Sequence, residues 1–255
     1  MRRRFFTEGF DSKSAILRGE TAEHLGRVLR AEPGQLYELS DGERVWLARI
    51  DKVALSKKGG HQIEFTLVEE IAERQPALQI QLLISVVKFD RLEWSLEKAT
   101  ELGVTEIVLL AAARSGKALI AAASKRRARW EKILLESAQQ SRRRRPPILR
   151  TGQEGGRSGG MRHAIRPKGA FTEAGAACKL VLSERQDAKL MRDTLSVYAE
   201  PSASLAIGPE GGWTDDELAD ARAAGFAEVS LGQNILRTET AVVAALAILG
   251  YALGD

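Results

Sequence analysis

The 255-residue chain is 44% hydrophobic and 28% charged, a globular composition long enough for one large domain or two ordinary ones. No run approaches the roughly 18–20 apolar residues of a bilayer-spanning helix, which argues against a membrane role. A single cysteine, Cys178, excludes an internal disulfide, and His24, His61 and His163 lie too far apart in sequence for a zinc site of neighbouring ligands, so no metal is expected.

The chain opens "MRRRFFTEGF": Arg2, Arg3 and Arg4 form a basic knot, and no apolar stretch follows that would make a secretory signal. "TAEHLGRVLR" predicts a short helix with Leu25, Val28 and Leu29 on one face. "QLYELSDGERVWLARI" reads as two alternating strands around an Asp41-Gly42 turn, a hairpin signal. Lys57-Lys58-Gly59-Gly60 marks a loop, "HQIEFTLVEE" another alternating strand, and "EEIAERQPALQ" a linker. Residues 1–72 are therefore expected to form a small β-rich domain and 73–255 a second one.

From residue 78 the pattern turns to strand–helix alternation. "IQLLISVV", "TEIVLLA", "CKLVLS", "SASLAIG" and "AEVSLG" are continuous apolar runs, as expected for parallel strands covered on both faces. Cys178, inside one of them, reads as a buried, inert thiol of a reducing, cytoplasmic setting. Asp90 is the expected cap of a helix carrying Leu92, Leu96, Ala99 and Leu102, and Ser124 that of a helix stopping before Pro146-Pro147. Thr214 and Glu217 have the spacing of a capping box. The Gly- and Arg-rich stretch 150–170 has no clear period.

Charge is unevenly placed. Between Lys125 and Arg150, ten Lys and Arg face only Glu131 and Glu136, a net +8 in a chain of formal charge +4. With Arg142, Arg143, Arg144 and Arg145 at its centre, the segment reads as a polyanion-binding face; a solvated helix face is the plainer alternative.

Several chemistries drop out. There is no Gly-x-Ser-x-Gly elbow, no phosphate loop (Ala111 and Ala118 stand where that motif needs Gly and Ser or Thr) and no Gly-x-Gly-x-x-Gly after the first strand of the α/β part. The glycines collect instead beyond the last strands, in "IGPEGGWTDDEL" and "LGQNILRTETAVVAALAILG". Ligands of open parallel sheets bind beyond the carboxyl ends of strands, although two ordinary tight turns would read the same way. Asn234 is the expected N-cap of a helix from Ile235, with Arg237 to Thr240 in its first turn and a buried body from Ala241 onward. A cation at a helix N-terminus opposes the helix dipole, so Arg237 needs an anionic partner: Glu239, Glu210 or a ligand.

These last two motifs, with "MRRRFF", "HLGRVLR", "YELSDG", "KFDRLEWSLEKATELGVTEIVLL" and "KILLESAQQSRR", resemble the ribosomal RNA small subunit methyltransferase E family. Its members are bacterial 16S rRNA uridine-N3 methyltransferases of the SPOUT class, and the resemblance runs nearly the whole length. It implies an α/β fold with a mainly parallel sheet and a C-terminal trefoil knot, preceded by a small PUA-like, RNA-binding β-barrel. It also implies S-adenosylmethionine as cofactor, a homodimer, and 16S rRNA within the small ribosomal subunit as partner.

Carried onto matching positions, the cofactor contacts are Leu182, Ser183, Ile207, Gly208, Gly211, Gly212, Leu231, Gly232, Ile235 and Leu236. Arg237 becomes the candidate to stabilise charge on the uracil, with Glu210 or Glu239 orienting it or accepting the proton. Arg2, Arg3, Arg4 and Arg142 to Arg145 become the RNA contacts. Gln233-Asn234 stand where the family often has Pro-Arg. A ribose 2′-O methyltransferase of the same class and a non-catalytic RNA- or ribosome-binding protein are the competing readings.

Overall fold

The structure, a computed structural model, describes residues 3–56, 60–72, 78–152, 164–198 and 200–254. Arg2, Lys57-Lys58-Gly59, linker residues 73–77, residues 153–160 of the Gly-rich stretch and His163 lie outside the described residues. The chain divides into two compact units, Met1–Gln75 with Ala138–Pro146, and Pro76–Ser137 with Pro147–Asp255.

The first unit holds β1 (Arg4–Phe6), β2 (Ser14–Arg18), α1 (Gly19–Glu23), β3 (Leu36–Ser40), β4 (Val45–Ala54) and β5 (Gln62–Glu70) in a mixed sheet of order β1-β3-β4-β5-β2. The hairpin is where the alternation places it. β3 and β4 pair antiparallel, and the Asp41 carboxylate accepts hydrogen bonds from the backbone amides of Glu43 and Arg44. Phe5, Leu17, Leu25, Leu39, Ile50, Ile63 and Phe65 fill the core.

The expected helix face is not kept. After α1 the chain runs through one π-helical turn, His24–Val28, which widens the turn and leaves Val28 65% exposed while Leu25 stays buried.

Arg4, expected to touch RNA, is only 1% exposed. Its guanidinium donates to the Glu38 carboxylate at 2.9 Å and to the carbonyl of Arg142. A buried charge needs such partners, so Arg4 is internal and holds the 138–146 segment. The Ser40 hydroxyl also donates to that segment, to the carbonyl of Arg144.

The second unit contains β6 (Gln79–Ser85), α2 (Phe89–Glu101), β7 (Glu106–Leu110), α3 (Lys117–Ala122), α4 (Arg127–Gln140), β8 (Ile148–Arg150), α5 (Pro167–Glu173), β9 (Cys178–Leu182), β10 (Lys189–Leu190), α6 (Met191–Leu195), β11 (Ser202–Ile207), α7 (Asp215–Ala223), β12 (Ala227–Ser230) and α8 (Thr238–Leu253). Residues Ala138 to Gln140, the end of α4, belong to the first unit. The seven strands run β10-β12-β9-β11-β6-β7-β8, and every described pairing is parallel.

Period two explains the continuous apolar runs. Ile80, Leu82 and Ile84 of β6 point to one face, where they meet Leu92 and Leu96 of α2, Trp130 of α4 and Leu246 of α8. Leu83, Val108, Val181 and Ala206 point to the other, against Phe171 of α5 and Leu218 of α7. No helix among the described residues is long and apolar enough to cross a membrane.

Three expected helix starts move. α2 is capped by Lys88, without a side-chain bond, so Asp90 sits inside the first turn, where its charge suits the dipole. Ser124 lies within a 3₁₀ turn, Ala123–Arg126, that runs from α3 into α4, so no free helix end exists there for it to cap. α8 begins at Thr238 rather than Ile235. Arg237 is its N-cap, and the chain from Leu231 to Arg237 is an open loop, not a first turn around Asn234. The body of α8 is buried along one stripe only (Val242, Ala245, Leu246, Leu249), and Tyr251 is 93% exposed.

Candidate active site

Three adjacent strands, β12, β9 and β11, end side by side, and the loops that leave their carboxyl ends enclose a cavity of about 540 Å³. That lies within the roughly 300–1,000 Å³ usual for small-molecule pockets. The loop after β9 contributes Leu182 and Ser183; that after β11, Ile207, Gly208, Glu210 and Gly212; that after β12, Leu231, Gly232, Ile235, Leu236 and Arg237. Of the thirteen residues expected to bind cofactor or act in catalysis, Gly211 and Glu239 alone are absent from the wall.

The loop after β11 is tightly built. A Cβ on Gly208 would stand 3.0 Å from the Trp213 ring, and Gly212 has φ of +70° with Glu184 Oε1 2.8 Å from where its Cβ would be. The backbone there is bare because side chains do not fit. The Trp213 indole N–H donates to the carbonyl of Leu182 at 2.9 Å, tying two of the three loops together. Gly211 is not part of the wall, and its carbonyl accepts a bond from Arg114 at 2.8 Å. Thr214 and Glu217 form the expected capping box and start α7 directly behind the loop.

The loop after β12 is looser. The Ser230 hydroxyl and the backbone of Gly232 exchange hydrogen bonds of 2.9 and 3.1 Å, and beyond them residues Gly232 to Arg237 are all exposed, Ile235 at 77%.

The charges pair otherwise than the sequence suggests. Arg91, in the first turn of α2, hydrogen-bonds the Glu210 carboxylate, and its Nε lies 3.8 Å from Oε1 of Glu239. Arg237 makes no ion pair among the described residues. Arg237 is an exposed residue of the pocket wall, while both candidate partners are engaged elsewhere. Oε2 of Glu239 is buried and accepts no hydrogen bond among the described residues.

Sequence reasoning missed Arg91, Arg114 and Trp213, all of which line the cavity. A signal for Arg91 was present. Like Arg237 it places a cation at a helix N-terminus, against the dipole, and so calls for an anion.

Of the expected RNA contacts, Arg3, Arg142 and Arg145 are exposed, and Arg143 and Arg144 are half-buried. Burial, with Arg145 nearby, pushes the Arg143 guanidinium down to about 10. The wider 125–150 segment is less free than its charge count implies. Arg126 and Arg129 pair with Glu93, Arg150 with Glu106 and Glu173, and Arg142 with Glu38, acids that lie elsewhere in the sequence. Cys178 is fully buried and its thiol is pushed up to about 11.

Residues 73–250 match the family described as RNA methyltransferase domain. The chain is 30% identical over 241 residues to the ribosomal RNA small subunit methyltransferase E of Mycobacterium bovis, covering 92% of this chain and 86% of that one. It is 33% identical over 232 residues to the protein of that name from Synechocystis, covering 88% and 68%. It superimposes on the crystal structure of a ribosomal RNA small subunit methyltransferase E from Neisseria gonorrhoeae bound to S-adenosyl methionine, with a TM-score of 0.82 and 31% identity, over 100% of this chain and 99% of that one.

Proposed function

Because the chain belongs to the ribosomal RNA small subunit methyltransferase E family, we propose that it transfers a methyl group from S-adenosylmethionine to N3 of a uridine in 16S rRNA. The observation that carries this reading is the glycine-lined cavity beyond β9, β11 and β12, with an unpaired arginine on its wall. It is a small-molecule site next to a group suited to a developing anion.

The residues fit the cofactor. Bare backbone at Gly208 and Gly212 admits a flat ring edge, and the wall mixes apolar groups with both charge signs, as a ligand with a sulfonium, an amine and a carboxylate requires. Leu182, Ser183, Ile207, Gly208, Gly212, Leu231, Gly232, Ile235 and Leu236 would hold it, with Gly211 setting the loop's turn. When bound, S-adenosylmethionine supplies an electrophilic methyl group on a sulfonium.

The chain's own part is to bring uracil N3 to that methyl and to handle its proton. As N3 loses its proton, charge spreads to the flanking carbonyl oxygens, and a positioned guanidinium stabilises it. Arg237 is that group. Glu210 and Glu239, held by Arg91 rather than by Arg237, are the carboxylates assigned to take the proton. In the first unit, read as a PUA-like RNA-binding domain, Arg3 and Arg142 to Arg145 contact phosphates, which makes RNA affinity strongly salt-dependent. A trefoil knot at the C-terminal end of the sheet, a homodimer and a cytoplasmic site of action belong to the same reading. The dimer is supported by exposed apolar side chains on two helices that pack together, Trp94 of α2 at 43% and Tyr251 of α8.

The test is incubation with methyl-labelled S-adenosylmethionine and small ribosomal subunits from a strain lacking the native activity, followed by digestion to nucleosides. Label in 3-methyluridine is expected. Label in a 2′-O-methyl nucleoside would overturn the chemistry and keep the fold, and failure to bind the cofactor at all would leave an RNA-binding protein.

A further inference from the structure

The geometry points to Arg91 as a positioning residue that keeps the catalytic arginine free, an inference that rests on the role given to Arg237 above. Four arginines line the cavity, Arg91, Arg114, Arg185 and Arg237, and three of them are occupied. Arg185 faces Asp215 at 3.2 Å, Arg114 holds the carbonyl of Gly211, and Arg91 takes both Glu210 and Glu239. Of the four, only the Arg237 side chain has neither an ion pair nor a hydrogen bond among the described residues, although Glu210 shares its pocket and Glu239 is two residues away.

A guanidinium that shares a cavity with one carboxylate and lies two residues from another can pair with either unless something else holds both. Arg91 does so from a separate helix, α2, with a side chain that is only 23% exposed. Its pairing also links the loop after β11 to the first turn of α8, two elements that must keep their spacing for substrate to sit between cofactor and Arg237.

Of the two carboxylates, Glu210 is the one that would move. Its side chain is 43% exposed and lies on a loop, whereas that of Glu239 is 17% exposed and fixed in a helix. Removing the Arg91 guanidinium therefore releases Glu210 to pair with Arg237, which withdraws the positive charge from the uracil oxygens.

This differs from a merely structural ion pair in one measurable respect: deleting a second residue should free Arg237 again. The experiment compares the wild-type chain with Arg91→Ala and the double variant Arg91→Ala/Glu210→Gln. It follows turnover on small ribosomal subunits, S-adenosylmethionine binding by calorimetry, and the side-chain Nε–H signal of Arg237 by NMR on the free protein. Arg91→Ala is expected to lose about ten- to a hundred-fold in kcat with cofactor affinity changed less than about three-fold. The Arg237 signal should shift as it acquires a carboxylate. The double variant should return that signal to its wild-type position.

An Arg237 signal that does not move when Arg91 is removed, or that does not return in the double variant, overturns the proposal. The NMR arm needs no turnover. If the wild-type chain methylates no RNA, the functional reading fails by itself, and the shift and return of the Arg237 signal still decide whether Arg91 keeps that arginine free.

Discussion

The loops after β11 and β12 look alike in sequence, each a strand followed by glycine, a few polar residues and a helix, yet they are built differently. The first is closed on itself. Gly208 lies against Trp213, the indole reaches across to Leu182, and Thr214 and Glu217 cap the helix that follows. The second runs exposed from Gly232 to Arg237 and enters α8 with no side-chain cap. One loop is held by its own contacts, so its side chains serve structure. The other leaves its charge and apolar groups uncommitted, which is what a surface needs if it is to engage something else.

The strongest test of that contrast is Arg237→Ala. An N-cap residue whose side chain makes no cap bond should cost under about 0.5 kcal/mol of stability when truncated. Losing a charge-stabilising donor should nevertheless slow methyl transfer about 10²- to 10³-fold. Near-normal turnover with cofactor and RNA bound normally would remove Arg237 from the mechanism. Next in size, Gly212→Ala forces an L residue to a φ of +70°. A destabilisation of about 1–2 kcal/mol is expected, together with weaker cofactor binding, read by denaturant melts and calorimetry. An unchanged melt would show that the loop rearranges at no cost. Thr214→Ala should cost about 1 kcal/mol through the lost cap, a difference from Arg237→Ala in stability that reverses their order in activity.

The smallest effect concerns the sheet beneath both loops. Cys178 on β9 is buried with its thiol pushed up to about 11 by desolvation. The raised value means the folded state keeps the proton. Its contribution to stability is therefore complete below about pH 9 and lost as the pH climbs toward 11. At pH 8 the thiol should resist alkylation in the wild type and in every loop variant alike. Rapid labelling of a loop variant, followed by mass spectrometry, would show that the loops and the sheet do not behave independently.

What could be read from the sequence divides along the same line. The Asp41-Gly42 hairpin, the Thr214–Glu217 box and the five apolar strand runs are local patterns, set by residues a few positions apart, and each stands where its pattern places it. The strand-end glycines likewise led to the loops that surround the cavity. The start of α8 was not legible, because no side chain marks it: Asn234 is a good capping residue in a stretch that the fold keeps open. Arg91 escaped because Glu210, its hydrogen-bond partner, is 119 positions away. Arg4 and the 142–145 arginines looked equally basic, and only the arrangement of the first unit shows that Arg4 is internal.

The contact between Arg4 and the 138–146 segment also sets an order of events during synthesis. The first unit is not continuous in the chain, since Ala138–Pro146 completes it. Until those residues leave the ribosome, the Arg4 guanidinium and the Ser40 hydroxyl lack the carbonyls of Arg142 and Arg144 that they bond in the finished protein. The N-terminal strands can pair as they emerge, but this unit, though first to be started, cannot be finished until the opening stretch of the second, Pro76–Ser137, has also been made.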